Sequence, residues 1–100
     1  MTSRLDELLK VLDEIIQLLE ADGEQLWSNW LRQSRDWLLN SDFAGIEHLL
    51  SAYGGMGSFN DLIIIQNKEG YVEINNKLDN LRRQAWELAD QIRRDHLSDS

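Results

Sequence analysis

Apolar residues recur every three or four positions along the first part of the chain. Between about residues 4 and 21 they are Leu5, Leu8, Leu9, Leu12, Ile15, Ile16 and Leu19. This spacing predicts an amphipathic helix that buries one face in a core. Ser3, followed three residues later by Asp6, resembles a capping box at the start of this helix, and Gly23 is a suitable residue to end it.

Residues 24–40 predict a second helix, whose apolar face is rich in tryptophan. The positions on that face are Leu26, Trp27, Trp30, Leu31, Trp37 and Leu38, with Ser34 between them. A tryptophan contributes a large apolar surface and an indole N–H that needs a partner when it is buried. We expect these side chains to fill a core, with exposure of one of them as an interface anchor as the alternative.

Two more helices are predicted, over about residues 42–53 and 71–96. The shorter has Ser41 or Asp42 as its cap and Gly45 as an internal weak point. The longer repeats apolar residues in a heptad pattern, at Tyr71, Ile74, Leu78, Leu81, Ala85, Leu88 and Ile92. Intrahelical ion pairs are expected in it at a spacing of four residues, for Asp79–Arg83 and Asp90–Arg94. The chain therefore predicts an all-α fold, a small antiparallel bundle of about four helices in a single domain over residues 1–100.

A glycine-rich stretch interrupts the helical pattern before the last helix. We call it the loop motif, and it comprises Gly54, Gly55, Met56, Gly57, Ser58, Phe59, Asn60 and Asp61. Such glycines either supply positive φ angles or let backbone amides approach an anion. The motif has no Lys or Arg and matches neither the P-loop nor the dinucleotide pattern. We therefore expect an architectural turn, with Gly54 ending the third helix and Met56 and Phe59 turned into the core. Residues 62–66 fit a strand, a helical turn or irregular chain, and we slightly favour an extended or irregular course.

Composition narrows the classes of function. The net charge of −8 and the pI of about 4.5 argue against nucleic-acid binding, which depends on cationic side chains that contact phosphates. The absence of cysteine excludes disulfides and thiolate metal sites, and the two histidines, His48 and His96, show no metal-ligand spacing. The first residues lack the apolar region of a secretory signal, and no apolar run approaches roughly 20 residues. We expect a cytoplasmic protein with no cofactor, no metal and no membrane or nucleic-acid partner.

The segment GIEHLLSAYGGMGSFNDLII resembles a family of small uncharacterised bacterial proteins. These carry a leucine-rich first helix, a tryptophan-containing second helix and then GGMGSFNDL or a close variant. The resemblance extends over about residues 8–92 and is most specific at residues 54–62. It implies a bacterial origin and a place in loci of bacterial conflict, including toxin–immunity loci, and it transfers no catalytic residue.

These observations predict a non-enzymatic acidic binding protein, with an immunity-like inhibitor of a basic bacterial toxin or effector as its leading form. Residues 1–50 carry ten acidic and only four basic side chains, a surface suited to electrostatic steering. The expected contact residues are Glu20, Asp22, Glu24 and Trp27. One alternative is a helical homodimer whose seam is the first or the last helix. Another is an enzyme that uses His48, beside Glu47, together with the loop motif for acid–base chemistry.

Overall fold

Four α-helices and no strand make up the regular structure of the described residues. The computed structural model describes residues 3–54, 59–63 and 70–98. The helices are α1 (Arg4–Asp22), α2 (Gln25–Leu39), α3 (Ala44–Leu50) and α4 (Tyr71–Ser98), and a short 3₁₀ turn occupies Phe59–Asp61. The predicted all-α fold of about four helices is confirmed. None of the described helices is long and apolar enough to cross a lipid bilayer.

Each helix packs against the next in the chain, and α4 closes the ring against α1. Ion pairs join Asp13 to Arg35 and Glu20 to Arg32, so residue numbers fall along α1 as they rise along α2. The same opposite order appears in contacts made in and around α3, namely Trp30–His48, Leu38–Gly45, Tyr53–Arg82 and Phe43–His96. Successive helices are therefore antiparallel, and the bundle runs up, down, up and down.

The core comes from the predicted apolar stripes. Its fully buried members on α1 are Leu8, Leu12, Ile15 and Leu19, and those from the rest of the chain include Leu31, Ile46, Leu49, Phe59, Leu78 and Ala85. The placement of Leu26 on the buried face was wrong, because its side chain is 66% exposed. At about 100° per residue, Leu26 lies roughly 130° around the helix from the centre of the α2 face that buries Leu31 and Leu38.

Both ends of α1 follow the predicted capping chemistry. Ser3 and Asp6 form the capping box, each side chain accepting from the other residue's backbone amide. Gly23 adopts φ 81° in the left-handed region, and the amides of Gly23 and Glu24 bond the carbonyls of Glu20 and Leu19. This is a Schellman motif, which satisfies carbonyls that the helix end leaves open.

The end of α2 uses the same motif without a glycine. Ser41 has φ 59°, and the amides of Ser41 and Asp42 donate to the carbonyls of Leu38 and Trp37. The prediction that Ser41 or Asp42 is the N-cap of α3 was wrong, because both residues belong to the motif that ends α2. The N-cap is Phe43, which makes no side-chain cap hydrogen bond, although Oδ1 of Asp42 accepts from the amide of Ala44 at 3.0 Å. A non-glycine residue in the left-handed region is strained, so this corner stores a small conformational cost.

Helix α3 is shorter than predicted and does not end at Gly54. It stops at Leu50, after which the amides of Ala52 and Tyr53 bond carbonyls only three residues back. Gly54 has the expected positive φ, 113°, but lies four residues beyond the helix and is not its cap. The tightened turns explain the difference, because they redirect the chain before Gly54 is reached.

Gly45 is a point of close approach between α2 and α3. A Cβ atom added at this position would lie 2.6 Å from the carbonyl oxygen of Ser34 and 2.8 Å from Cγ of Leu38. The contact is with a backbone atom of α2, which could move away only if the helix shifted, so only glycine allows the two helices to pack at this distance. The residue that helical propensity marks as a weak point is required by the packing.

Ion pairing along α4 differs from the prediction at one site. Asp90 pairs with Arg94 at 3.0 Å, as expected, and also with Arg93. Asp79 pairs with Arg82, three residues on, and not with Arg83, because Arg82 points into the bundle edge where Asp79 can reach it. Before α4, the chain is irregular at positions 62 and 63, as favoured, whereas positions 64–66 lie outside the described residues.

Candidate functional site

Phe59 is the buried anchor of the loop motif. Its side chain has no exposed surface, and its ring centroid lies 5.6 Å from those of Trp27 and Tyr53. Its amide donates to the carbonyl of Ala52 over 3.1 Å, which folds the motif back onto the end of α3. The expected burial of Phe59 is confirmed. Four motif positions lie outside the described residues: Gly55, Met56, Gly57 and Ser58.

Arg82 of α4 holds the end of the motif in place. It is only 7% exposed, and its Nη1 donates to the carbonyl oxygens of Phe59 at 2.5 Å and Leu62 at 3.0 Å. Its Nη2 pairs with Asp79, and its guanidinium carbon lies 5.6 Å from the centroid of the Phe59 ring. Arg82 thus adds a second hydrogen bond to the carbonyl of Phe59, which also accepts from the amide of Leu62 at 3.3 Å, and a hydrogen bond to the carbonyl of Leu62. Asp79 balances its charge.

Tyr53 completes this attachment from the other side. Its hydroxyl donates to the backbone carbonyl of Arg82 at 2.7 Å, and burial raises the pKa of the phenol well above its ordinary value. A phenol in this state remains a protonated donor and is poorly suited to exchange a proton near neutral pH. The described part of the loop motif is therefore a fixed joint between α3 and α4.

His48 of α3 lies among the tryptophans of α2. Its ring stacks on that of Trp30 with centroids 4.1 Å apart and meets Trp37 edge-on at 5.0 Å. Its Nδ1 is 2.7 Å from Oγ of Ser34, and its backbone carbonyl accepts from the indole nitrogen of Trp30 at 2.9 Å. Burial lowers the pKa of His48 below its ordinary value, so the ring is mainly neutral at pH 7.

The arrangement around His48 suits packing better than acid–base chemistry. Ser34 has 0% exposed surface, so its hydroxyl is out of reach of a substrate. The group that faces Nδ1 is this hydroxyl, and not the neighbouring carboxylate of Glu47 that the enzyme hypothesis invokes. In the ranges that the structure describes, no three His, Cys, Asp or Glu side chains are grouped to hold a metal ion.

The expected contact residues lie at the end of α1 and the start of α2, where they already have partners within the chain. Glu20 forms an ion pair with Arg32, and the carboxylate of Glu24 accepts from the amide of Trp27 to cap α2. Asp22 also has an interaction within the chain. Trp27 is half-buried and packs against the core. Their contact with a partner protein stays a prediction.

Unpaired carboxylates border a groove between α1 and α4. Two adjoining hollows of about 280 and 340 Å³ share Glu7, Gln84 and Leu88. We call their union the glutamate groove, and its lining comprises Arg4, Glu7, Lys10, Val11, Glu14, Gln84, Glu87, Leu88 and Gln91. Among the described residues, Glu7, Glu14 and Glu87 have no ion-pair partner. Lys10 in the same lining also has no ion-pair partner among the described residues and offsets one of these three charges. The groove thus places a net negative charge around an apolar centre.

The arginines do not offset this surplus. Six of the seven are held in ion pairs within the chain, namely Arg4, Arg32, Arg35, Arg82, Arg93 and Arg94. Only Arg83 has no such partner among the described residues. Among the described residues, the carboxylates without an ion-pair partner therefore outnumber the Arg and Lys side chains without one.

Comparison with known proteins places the chain in a family. A family model matches residues 20–72, more than half of the chain. The chain belongs to the family described as Domain of unknown function (DUF6966). No curated protein and no solved structure matches it.

The DUF6966 match runs from the end of α1 through α2, α3 and the loop motif to the start of α4. It lies within the resemblance predicted over residues 8–92, and it assigns no activity. Arg82 and the glutamates of the groove lie outside it. The sequence prediction missed the role of Arg82, although a signal existed: Arg82 lies four residues after Leu78 and next to Leu81, at the edge of the heptad seam.

Proposed function

We propose that this DUF6966 protein is a non-enzymatic binding protein that docks a basic protein partner and acts as an immunity-like inhibitor of it. The proposed setting is the bacterial cytoplasm, in keeping with the resemblance to proteins of conflict loci. The proposal rests chiefly on one observation: within the described part of the chain, ion pairs occupy six of the seven arginines and leave the carboxylates of the glutamate groove without a partner.

The groove has the features of a steering surface. Glu7 and Glu87 are exposed on facing helices, and Leu88 and Val11 lie between them at the floor. Exposed like charges accelerate the approach of an oppositely charged partner, and a buried apolar centre then contributes to the stability of the complex. The surface that contains Glu20 and Glu24 is less suited to docking a basic partner, because both carboxylates would have to break interactions that they already make within the chain.

Affinity capture with matched charge variants tests the proposal. The tagged protein, a Glu7→Gln/Glu87→Gln variant and a Glu47→Gln/Glu73→Gln control are incubated with a lysate of the encoding organism at about 50 and 200 mM salt. Each variant removes two exposed carboxylates. The groove variant includes one glutamate in a first helical turn, Glu7, whereas both control residues lie in first turns. We expect a basic protein to be retained by the parent and the control, more strongly at low salt, and lost from the groove variant.

Two results would count against this function. Retention of no protein at either salt concentration would remove the basis for a protein partner. Retention that is equally weakened in the control variant would show that only total charge matters and not the groove. Light scattering on the same samples addresses the homodimer alternative, which predicts a mass that rises with protein concentration.

A further inference from the structure

A cleft beside the loop motif contains the one arginine that has no partner among the described residues. The cleft measures about 360 Å³ and is lined by Tyr53, Asn60, Asp79, Arg82, Arg83 and Trp86. We call it the arginine cleft. Its volume lies at the lower end of the range for small-molecule sites. From its lining we propose that the arginine cleft binds a monoanionic carboxylate attached to a planar apolar group.

The charge in the cleft is a single positive unit. Arg82 is fixed by two carbonyls and neutralised by Asp79, so it contributes shape and little net charge. Arg83, the next residue, is exposed and has no partner in the part of the chain that the structure describes. Its guanidinium can form two parallel hydrogen bonds with a carboxylate. One free guanidinium in a protein of net charge −8 suits a monoanion better than a doubly charged phosphate.

The apolar part of the ligand is specified by Trp86. It lies three residues after Arg83, so both side chains occupy one face of α4. Trp86 is 40% exposed as a residue, and its ring makes no aromatic contact with another described residue. An exposed indole beside a free guanidinium offers a stacking surface and a charge to one planar ligand. Asn60, exposed on the opposite wall, adds an amide for a further hydrogen bond.

This ligand could be the C-terminal residue of a polypeptide or a free small carboxylic acid, because both present the same chemistry. The proposal is independent of the glutamate groove, which lies between α1 and α4 and shares no lining residue with the arginine cleft. Failure of one site therefore leaves the other untouched, and the two experiments give separate answers.

An NMR titration of the full chain tests the proposal. The probes are N-acetyl-L-phenylalanine, its uncharged amide, phenylacetate and inorganic phosphate, and the readout is the indole N–H signal of Trp86, assigned from a Trp86→Phe variant. We expect saturable shifts with the two carboxylates and at least about tenfold weaker binding of the amide. Arg83→Gln should weaken carboxylate binding at least about tenfold, because it removes the charged donor of the hydrogen bonds to the carboxylate. Lys77→Gln, which removes an exposed cation from the same helix, should leave it unchanged.

Each outcome decides a specific point. Tighter binding of N-acetyl-L-phenylalanine than of phenylacetate supports a polypeptide C-terminus, and equal binding supports a free carboxylic acid. Four results would each overturn the proposal. They are equal binding of N-acetyl-L-phenylalanine and its amide, carboxylate binding that Arg83→Gln leaves unchanged, tighter binding of phosphate than of the carboxylates at the Trp86 signal, and the absence of any saturable shift. The spectrum of each variant also reports directly whether it is folded.

Discussion

Replacement of Arg82 by methionine tests whether the loop motif is a structural joint. The change keeps a long apolar stem in the core edge but removes the donors to the carbonyls of Phe59 and Leu62. Each hydrogen bond from a charged donor contributes about 1.5–3 kcal/mol. Relief of the desolvation of a buried guanidinium offsets part of that loss. We expect the free energy of unfolding to fall by about 2–4 kcal/mol, a large share of the roughly 5–15 kcal/mol of a typical domain.

The neighbouring arginine supplies the control. Arg83 carries the same charge on the same helix but is exposed and has no partner among the described residues. Arg83→Met should therefore change the free energy of unfolding by no more than about 0.5 kcal/mol. Urea denaturation of both variants beside the parent gives the comparison. A loss below about 0.5 kcal/mol in Arg82→Met, or equal losses in the two variants, would refute the reasoning that Arg82 holds the joint.

Three further predictions concern packing, backbone strain and pH. A Gly→Ala change normally strengthens a helix, but Gly45→Ala should lower the free energy of unfolding in urea by about 1–3 kcal/mol, because the added Cβ would lie 2.6 Å from the backbone of α2. A more stable variant would contradict the close approach of the two helices. Ser41→Gly should stabilise the fold by about 0.5–1 kcal/mol in thermal melts, because it removes the strain of a serine in the left-handed region. Gly23→Ser should destabilise the fold, because it introduces that strain at the end of α1. A change of the same sign in both variants would argue against the shared motif. Because burial lowers the pKa of His48 below 6.5, the unfolded chain binds a proton in the interval between the two values that the folded chain does not. This contribution to the free energy of unfolding is fully present above pH 6.5 and should be lost as pH falls through that interval. In urea denaturation at pH 7.5 and 5.5, the free energy of unfolding should differ less between the two pH values for His48→Gln than for the parent. An equal difference in both proteins would show that His48 is not the source of the pH dependence.

Much of the fold could be predicted because helical periodicity directly reports which face is buried. The stripe on α1, the heptad seam of α4 and the caps at Ser3 and Gly23 all depend on local spacing, which the sequence displays. The same local signals failed at Leu26, where a broad apolar stretch concealed a narrower buried face, and at Gly54, where tight turns ended α3 early.

The rest depended on contacts between residues distant in the sequence. Arg82 bonds carbonyls twenty and twenty-three positions away, and Gly45 is constrained by a backbone atom of another helix. Spacing places Arg82 at the edge of the heptad seam but does not show which groups it contacts, whereas Arg83, one residue on, is exposed and has no ion-pair partner among the described residues. Neither the glutamate groove nor the arginine cleft follows from periodicity, because each is formed by side chains from separate elements.

The most direct test of the binding function is the salt dependence of association with the captured basic protein. Stopped-flow or surface plasmon resonance measurements would compare the association rate constants of the parent and the Glu7→Gln/Glu87→Gln variant at about 50 and 200 mM salt. If the glutamate groove steers the partner, the association rate constant of the parent falls as salt rises, and that of the variant is lower at 50 mM and less sensitive to salt. Identical association rates for the two proteins at both salt concentrations would contradict the proposed role of the groove.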